Sequence, residues 1–390
     1  MCPTQPFRQL YAPVNAHVRP VLSRGSSCAG LKESLQQGVS TAIQSGMTHS
    51  SAPYAVSLAT LGWSTFFDEQ VEPAEAELAP MRIATVHRDR MTAMSELGPI
   101  RLKLSAQTNT TDFAVGDWVL VARDTRLLVR RLTRRMQLQR KAEGRRQAQL
   151  IAANVDTLLI VTSCNDDFNP ARLERYLALA NEAGAVPVIV LTKIDQTAEP
   201  ARYLRQAQAL QTDLDAVMLN AKSPDAALTL ARWCGPGQTV ALVGSSGVGK
   251  STLLNTLSEK SSEDAQPTGA IRAADAKGRH TTTSRSLHAI AGGGWVIDTP
   301  GMRTLHLSDV SAGLNTLFAE IVELASQCRF RDCTHAHEPG CAVQGAAADG
   351  TLDPARLDRW RKLTEENSTN TVIQTGPRGN KITKTPGKRR

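Results

Sequence analysis

The segment Gly244-Ser245-Ser246-Gly247-Val248-Gly249-Lys250-Ser251 fits the pattern G-x-x-x-x-G-K-[ST]. The apolar run Thr239 to Val243 precedes it and a helix-forming stretch starting Lys250-Ser251-Thr252 follows it, so the loop joins a strand to a helix N-terminus. Glycines at such a place let the backbone wrap a phosphate and turn its N–H groups inward, and the helix end adds partial positive charge. Lys250 then bridges the outer phosphates of a nucleotide, the Ser251 hydroxyl is a candidate magnesium ligand, and Thr252 completes the binding run. Asp298-Thr299-Pro300-Gly301 closes a second apolar stretch, Trp295 to Ile297; its carboxylate is placed to reach magnesium through water and the Gly301 N–H to approach a γ-phosphate. Between these two lies Gly278-Arg279-His280-Thr281-Thr282-Thr283, a polar loop whose hydroxyls, Thr282 and Thr283 among them, complete magnesium coordination in a triphosphate state.

Leu191-Thr192-Lys193-Ile194-Asp195 closes another strand-like run. A carboxylate at Asp195 accepts two hydrogen bonds, from guanine N1 and N2, whereas adenine has no such donor pair. Lys193 packs its stem across the purine, and Asn220-Ala221-Lys222, after the run Ala216 to Leu219, offers backbone N–H to the guanine oxygen. Taken singly, each of these short strings also suits a turn or a helix cap. Together the five elements resemble the signature of P-loop GTPases, but in an unusual order: the base-reading pair precedes the phosphate loop. The resemblance is therefore to a circularly permuted GTPase, in which the chain runs from the phosphate-sensing loops straight into the C-terminal region, an order suited to moving an appended domain on hydrolysis.

Cys328, Cys333, His335 and Cys341 form C-x4-C-x-H-x5-C, three thiolates and an imidazole that make a plausible closed tetrahedral set for one structural zinc. His337 competes for the histidine position, with His335 favoured. The other cysteines of the seven, Cys2, Cys28, Cys164 and Cys234, are scattered, and an odd, sparse count argues for a reducing compartment over a disulfide framework.

Elements of the right kind must carry these loops. After Ala152, apolar strands alternate with amphipathic helices, which implies parallel pairing through right-handed crossovers and a doubly wound α/β sheet with ligands at the carboxyl ends of its strands. From Met81 to about Leu138 the pattern is instead of short β-like runs separated by polar turns, a small antiparallel barrel or sheet. Between Arg123 and Arg146 ten basic residues face only Asp124 and Glu143, an imbalance that favours phosphate-backbone contact, with Arg134 and Arg135 as representatives. Residues 1–67 hold four basic residues and one acid among many Ser, Ala and Gln, and read as a low-complexity extension or, less readily, a transit peptide. The stretch Ala355 to Glu366 reads as a helix, and residues 367–390 as a basic tail. Over all 390 residues the net charge is +8 and the apolar fraction 41%, which excludes fibrous and wholly disordered classes. No run approaches the ~18 apolar residues of a membrane span, so a soluble chain without membrane association is expected.

On LGWSTFF, HRDRM, FAVGDWV, IAANVD, DFNPARLERYL, GSSGVGKSTLLN, GRHTTT, DTPGMR and CRFRDCTHAHEPGC, the chain from about Leu61 to Glu366 resembles the ribosome small subunit-dependent GTPase A family. The resemblance implies an α/β fold: a circularly permuted P-loop GTPase domain with a doubly wound, mostly parallel sheet (150–318), an N-terminal OB-fold barrel that binds RNA (81–138) and a C-terminal, mainly helical zinc domain (319–366). It further implies GTP as substrate with Mg²⁺, one structural Zn²⁺, the small ribosomal subunit and its rRNA as partners, turnover stimulated by that subunit, and a role in late small-subunit maturation. A monomer in the cytoplasm is expected, with an organelle as the lesser alternative. Two departures from general GTPase patterns stand out. Thr192 occupies the usual Asn position of the base motif, and Met302 follows Gly301 where many GTPases carry a water-orienting Gln. An apolar side chain cannot align water, which makes His280 the candidate catalytic group beside Lys250. The alternative function is a nucleotide-dependent RNA-binding switch with negligible turnover; a third, an ATP-dependent nucleic-acid enzyme, requires Asp195 to be incidental.

Overall fold

The computed structural model describes residues 56–141, 148–258, 285–299, 307–371, 374–375 and 381–382. His280, Thr282, Thr283, Gly301 and Met302 lie outside the described residues.

The first five strands among the described residues are short: β1 (Leu78–Val86), β2 (Met91–Ser95), β3 (Gly98–Arg101), β4 (Trp118–Ala122) and β5 (Leu128–Arg131). All pair antiparallel, β1 with both β2 and β4, β2 with β3, and β4 with β5. Lys103, just past β3, then bridges in parallel to Leu127 at the entrance of β5. The ring β1-β2-β3-β5-β4-β1 is thus closed, the five-stranded arrangement of an OB-fold. Alternating residues, Met81 and Ile83 of β1, Met91 and Ala93 of β2, Val119 and Val121 of β4, fill its interior.

A hairpin, β6 (Gln137–Lys141) and β7 (Ala148–Ala153), leads into the α/β part. Its strands are β8 (Thr157–Ser163), β9 (Val186–Thr192), β10 (Asp215–Met218), β11 (Thr239–Val243), β12 (Ser286–Ala289) and β13 (Trp295–Asp298). The order is β10-β9-β8-β11-β13-β12, parallel throughout except for β12. β8, β11 and β13 are buried along their whole length, because helices cover both faces and leave no polar side. Those helices are α1 (Pro170–Ala183), α2 (Pro200–Gln208), α3 (Asp225–Leu230) and α4 (Lys250–Leu257). Among the described residues, a bridge from Thr85 to Ser286 joins barrel and sheet. The C-terminal part is helical: α5 (Ser311–Leu317), α6 (Ala319–Ala325), α7 (Ala342–Ala348) and α8 (Pro354–Asn370). No helix among the described residues is long and apolar enough to cross a membrane.

Residues 56–67, placed on composition with the N-terminal extension, are packed instead. Leu61 and Phe67 are buried, and the Trp63 ring meets Trp118 edge-on at 4.8 Å. Three aromatics within five residues supply the apolar area that the Ser- and Ala-rich average conceals. Arg82, 1% exposed, ties this segment down by donating to the Leu61 carbonyl at 2.7 Å and the Asn154 carbonyl at 3.0 Å. Burial lowers its guanidinium to about 10, so it is charged at neutral pH.

The arginine-rich segment also differs from expectation. Arg130 grips Glu75 at 2.6 Å, Arg134 the fully buried Asp117 at 2.6 Å, and Arg135 pairs with Asp156. The Arg134 side chain is only 10% exposed. Four of the ten charges, Arg131 at 3.9 Å from Asp117 among them, are therefore paired with acids of the chain's own fold, and the fully buried Asp117 is the one that most needs cations. Arg134 is a structural residue, not a free phosphate contact.

Candidate nucleotide and metal sites

Parallel pairing carries β8, β9, β10, β11 and β13 to a common carboxyl edge, where an open α/β sheet takes its ligands. Thr192 ends β9, Asn220 follows β10, Gly244 follows β11 and Asp298 ends β13, so the fold brings the described parts of four separate motifs to one rim. Circular permutation costs this site nothing, since strand order in space, not in sequence, assembles it.

The phosphate loop leaves β11 at Gly244 with φ 138°, and a Cβ there would lie 2.1 Å from the Val161 carbonyl oxygen of β8. Only glycine fits. Gly247 (φ 80°) and Gly249 (φ 97°) take the remaining left-handed positions that turn the backbone before α4 starts at Lys250. Lys250 Nζ donates to the Ser245 carbonyl, and Arg172 of α1 donates to Ser245 Oγ at 2.5 Å. Asp298 is buried at the end of β13, in register with Leu242 of β11. Thr299 Oγ1 donates to the Leu242 carbonyl, so the loop after β13 is pinned to the strand that feeds the phosphate loop.

Thr192, in the position where an amide was expected to be missed, has a definite task. Its side chain is buried (0% exposed), and its hydroxyl lies 2.6 Å from the Val248 carbonyl and 3.1 Å from the Thr162 carbonyl. One hydroxyl carries one proton, and the shorter distance assigns it to Val248. The base loop and the phosphate loop are thereby tied directly. On the other side Thr256 Oγ1 of α4 donates to the Ala221 carbonyl at 2.7 Å. Lys193 takes φ 55°, which swings the chain so that Ile194–Gln196 forms a short 3-10 turn and leaves Asp195 exposed at the rim. The Asn220 carboxamide oxygen accepts from the Lys222 N–H at 3.0 Å, shaping the neighbouring loop.

In the C-terminal part, Cys328, Cys333, His335 and Cys341 place their ligand atoms within 4.8 Å of one another. Cys328 Sγ and Cys341 Sγ are 3.9 Å apart, and each is 3.5 Å from His335 Nδ1. A zinc ion with bonds of about 2.3 Å to sulfur spaces tetrahedral ligands by roughly 3.7 Å, so the donor set fits that metal. His335 is in the set and exposed His337 is not. Burial keeps the His335 imidazole below its usual range, so it is neutral and able to ligate. Gln344 Nε2 and Arg361 both donate to the His335 carbonyl, and the Trp360 ring stands edge-on to the imidazole at 5.7 Å, which fixes the backbone and ring of the ligand.

Reading the sequence missed Arg172 and Thr256. Arg172 carries one faint signal, its place in the first turn of a helix, α1, that begins just after the strand beside β11; Thr256, inside α4, carries none.

The sequence model of the RsgA GTPase family matches residues 131–308. A small ribosomal subunit biogenesis GTPase RsgA from Mesorhizobium japonicum is 64% identical over 334 residues, 86% of this chain and 96% of that protein. A second, RsgA 2 from Vibrio vulnificus, is 48% identical over 82% of this chain and 90% of its own length. Among solved structures, YjeQ from Thermotoga maritima superposes with a TM-score of 0.55 at 25% identity, covering 74% of this chain and 98% of that one. YloQ, described as a circularly permuted GTPase, gives 0.54 at 23% identity over 78% and 99% of the two chains, a likeness of fold.

Proposed function

We propose how this chain works from the family to which it belongs: it is a member of the RsgA family of small ribosomal subunit biogenesis GTPases, and a GTPase. The observation that carries the detailed reading is the convergence of Thr192–Asp195, Asn220–Lys222, Gly244–Ser251 and Asp298 on one sheet edge in permuted order. Asp195 selects guanine, Lys193 lies along the purine and the Asn220–Lys222 loop donates backbone N–H to the base. The turned-in N–H groups of Gly244 to Ser251 and the α4 N-terminus hold the phosphates, with Lys250 neutralising charge on the transferred group. Ser251 and Asp298 would hold Mg²⁺, which supplies charge neutralisation on the β- and γ-phosphate oxygens when bound. His280, with Thr282 and Thr283 nearby in sequence, is the group that handles the attacking water in place of Met302. Cys328, Cys333, His335 and Cys341 would hold one structural zinc.

The finer reading makes the small ribosomal subunit and its rRNA the partner of the GTP state, stimulating hydrolysis that then releases a monomeric protein in late cytoplasmic maturation. The barrel near residues 81–138 and the zinc domain near 319–366 flank the GTPase domain, 150–318, as the surfaces that meet that partner. Turnover of GTP and ATP by the purified chain, alone and with added small subunits, tests this. GTP-selective turnover that rises with subunits and disappears in Lys250→Ala supports the reading; unstimulated or ATP-selective turnover overturns it.

A further inference from the structure

Arg172 belongs to the first turn of α1, where the N-cap Asn169 accepts its backbone N–H at 3.0 Å. Its half-buried side chain turns away from the helix and reaches the phosphate loop, donating to Ser245 Oγ at 2.5 Å. The carbonyl of that same Ser245 accepts from Lys250 Nζ. One loop residue therefore receives two cations, one on its side chain and one on its backbone. The helix that supplies Arg172 is itself anchored. Glu174, fully buried, lies between Arg356 at 2.8 Å and Arg359 at 2.9 Å, and Arg175 pairs with Glu366 at 2.7 Å, all from α8.

A loop with glycines at 244, 247 and 249 has more backbone freedom than its task allows. Its start is fixed by Gly244 against β8 and its end by Thr192 on Val248, which leaves Ser245 to Gly247 between the two ties. Ser246 and Gly247 are exposed, so Ser245 is the one residue of the three that a neighbouring element grips through its side chain, among the described residues. We propose that Arg172 is a positioning residue of the GTPase reaction: it holds Ser245, and through Ser245 the N–H donors and the Lys250 ammonium that meet the phosphates. This rests on the reading of Gly244–Ser251 as the phosphate loop. A guanidinium donating to a hydroxyl is a charge-assisted bond, and its loss from a half-buried site is expected to cost about tenfold in nucleotide affinity.

The experiment measures binding of a fluorescent GDP and a fluorescent, slowly hydrolysed GTP analogue to full-length Ser245→Ala, Arg172→Ala, Arg172→Lys and the Arg172→Ala/Ser245→Ala double variant. Ser245→Ala and Arg172→Ala each weaken both nucleotides about tenfold, the double variant is no weaker than either single one, and Arg172→Lys recovers part of the loss. Preference for guanine over adenine nucleotides stays as in the parent chain, because Asp195 is untouched. Losses that multiply in the double variant, or a harmless Ser245→Ala beside a costly Arg172→Ala, overturn the proposal. Ser245→Ala removes a single oxygen and keeps the test open should Arg172→Ala fail to fold. Failure of the underlying reading looks different: the parent chain itself then binds no guanine nucleotide, or Lys250→Ala binds it as well as the parent.

Discussion

Replacing Thr192 by Val tests whether the base loop and the phosphate loop act as one unit. The substitution keeps the shape of the side chain and removes one hydroxyl, so no cavity opens in a site that is fully buried. What is lost is the 2.6 Å hydrogen bond to the Val248 carbonyl, which is then a buried acceptor with no side-chain donor from β9. A neutral hydrogen bond contributes about 0.5–1.5 kcal/mol, and orphaning one buried partner raises the cost to about 1–3 kcal/mol. Because Val248 sits between Gly247 and Gly249, the freed loop has the means to move, and nucleotide must then restore the order that the hydroxyl maintained. About 1.4 kcal/mol of that ordering corresponds to tenfold in affinity. Titration of a fluorescent GDP should accordingly show five- to thirtyfold weaker binding, roughly the range of 1–2 kcal/mol. GTP and GDP should suffer alike, since the bond touches neither the γ-phosphate nor the base. The preference for guanine over adenine should not change. Unaltered affinity would refute the tie between the loops, and so would a loss seen with GTP alone or a fall in base selectivity.

Asp195→Asn should cost guanine nucleotides tenfold or more in affinity while leaving adenine nucleotides unaffected, about the 1.5–3 kcal/mol of hydrogen bonds to a charged acceptor; equal weakening of both bases would mean that Asp195 does not read the base. Glu75 is held down to about 2 by its hydrogen bond with Arg130, against 4.5 for a free carboxyl. Its folded pKa is depressed, so its contribution to stability is complete above pH 4.5 and is lost as pH falls towards 2. Glu75→Gln should therefore flatten the acid limb of stability within that window, read by thermal unfolding at stepped pH, and a limb that is unchanged removes the pair from the account. Cys333→Ser should lower the zinc content of the purified chain from one per molecule and depress the melting temperature, whereas full zinc retention would show that Cys333 is no ligand. His280→Ala should reduce subunit-stimulated turnover at least a hundredfold while GTP still binds, a typical share for general acid–base help; undiminished turnover would take the water-handling role away from His280.

What could be read from the chain, and what could not, divides along a physical line. Residues proposed to meet a ligand are visible because that ligand's chemistry restricts them: only glycine passes at 244, a cation at 250 suits phosphates, a carboxylate at 195 suits guanine, and three thiols with an imidazole from Cys328 to Cys341 suit a zinc ion. The parallel sheet was equally legible, since strands covered on both faces become continuous apolar runs such as Thr157 to Ser163. Residues that meet another part of the protein carry no such mark. Arg134 and Arg172 are both arginines with opposite kinds of partner, a buried carboxylate and a loop hydroxyl, and nothing next to either in the sequence names that partner. Arg134 shows why: a run of positive charge is the same string whether it faces phosphates or, as Arg134 does at Asp117, the acids of its own fold. The same holds at Thr192, where comparison with the usual Asn registers a missing amide but not the Val248 carbonyl that awaits its hydroxyl 56 residues on. The site's parts were thus legible one by one, whereas the bonds that join them, Thr192 to Val248, Arg172 to Ser245 and Thr256 to Ala221, depend on distances that only the folded chain defines. A variant at one of these joints is consequently the sharper probe of the mechanism, because it leaves every ligand-facing group in place and alters only how well they are held together.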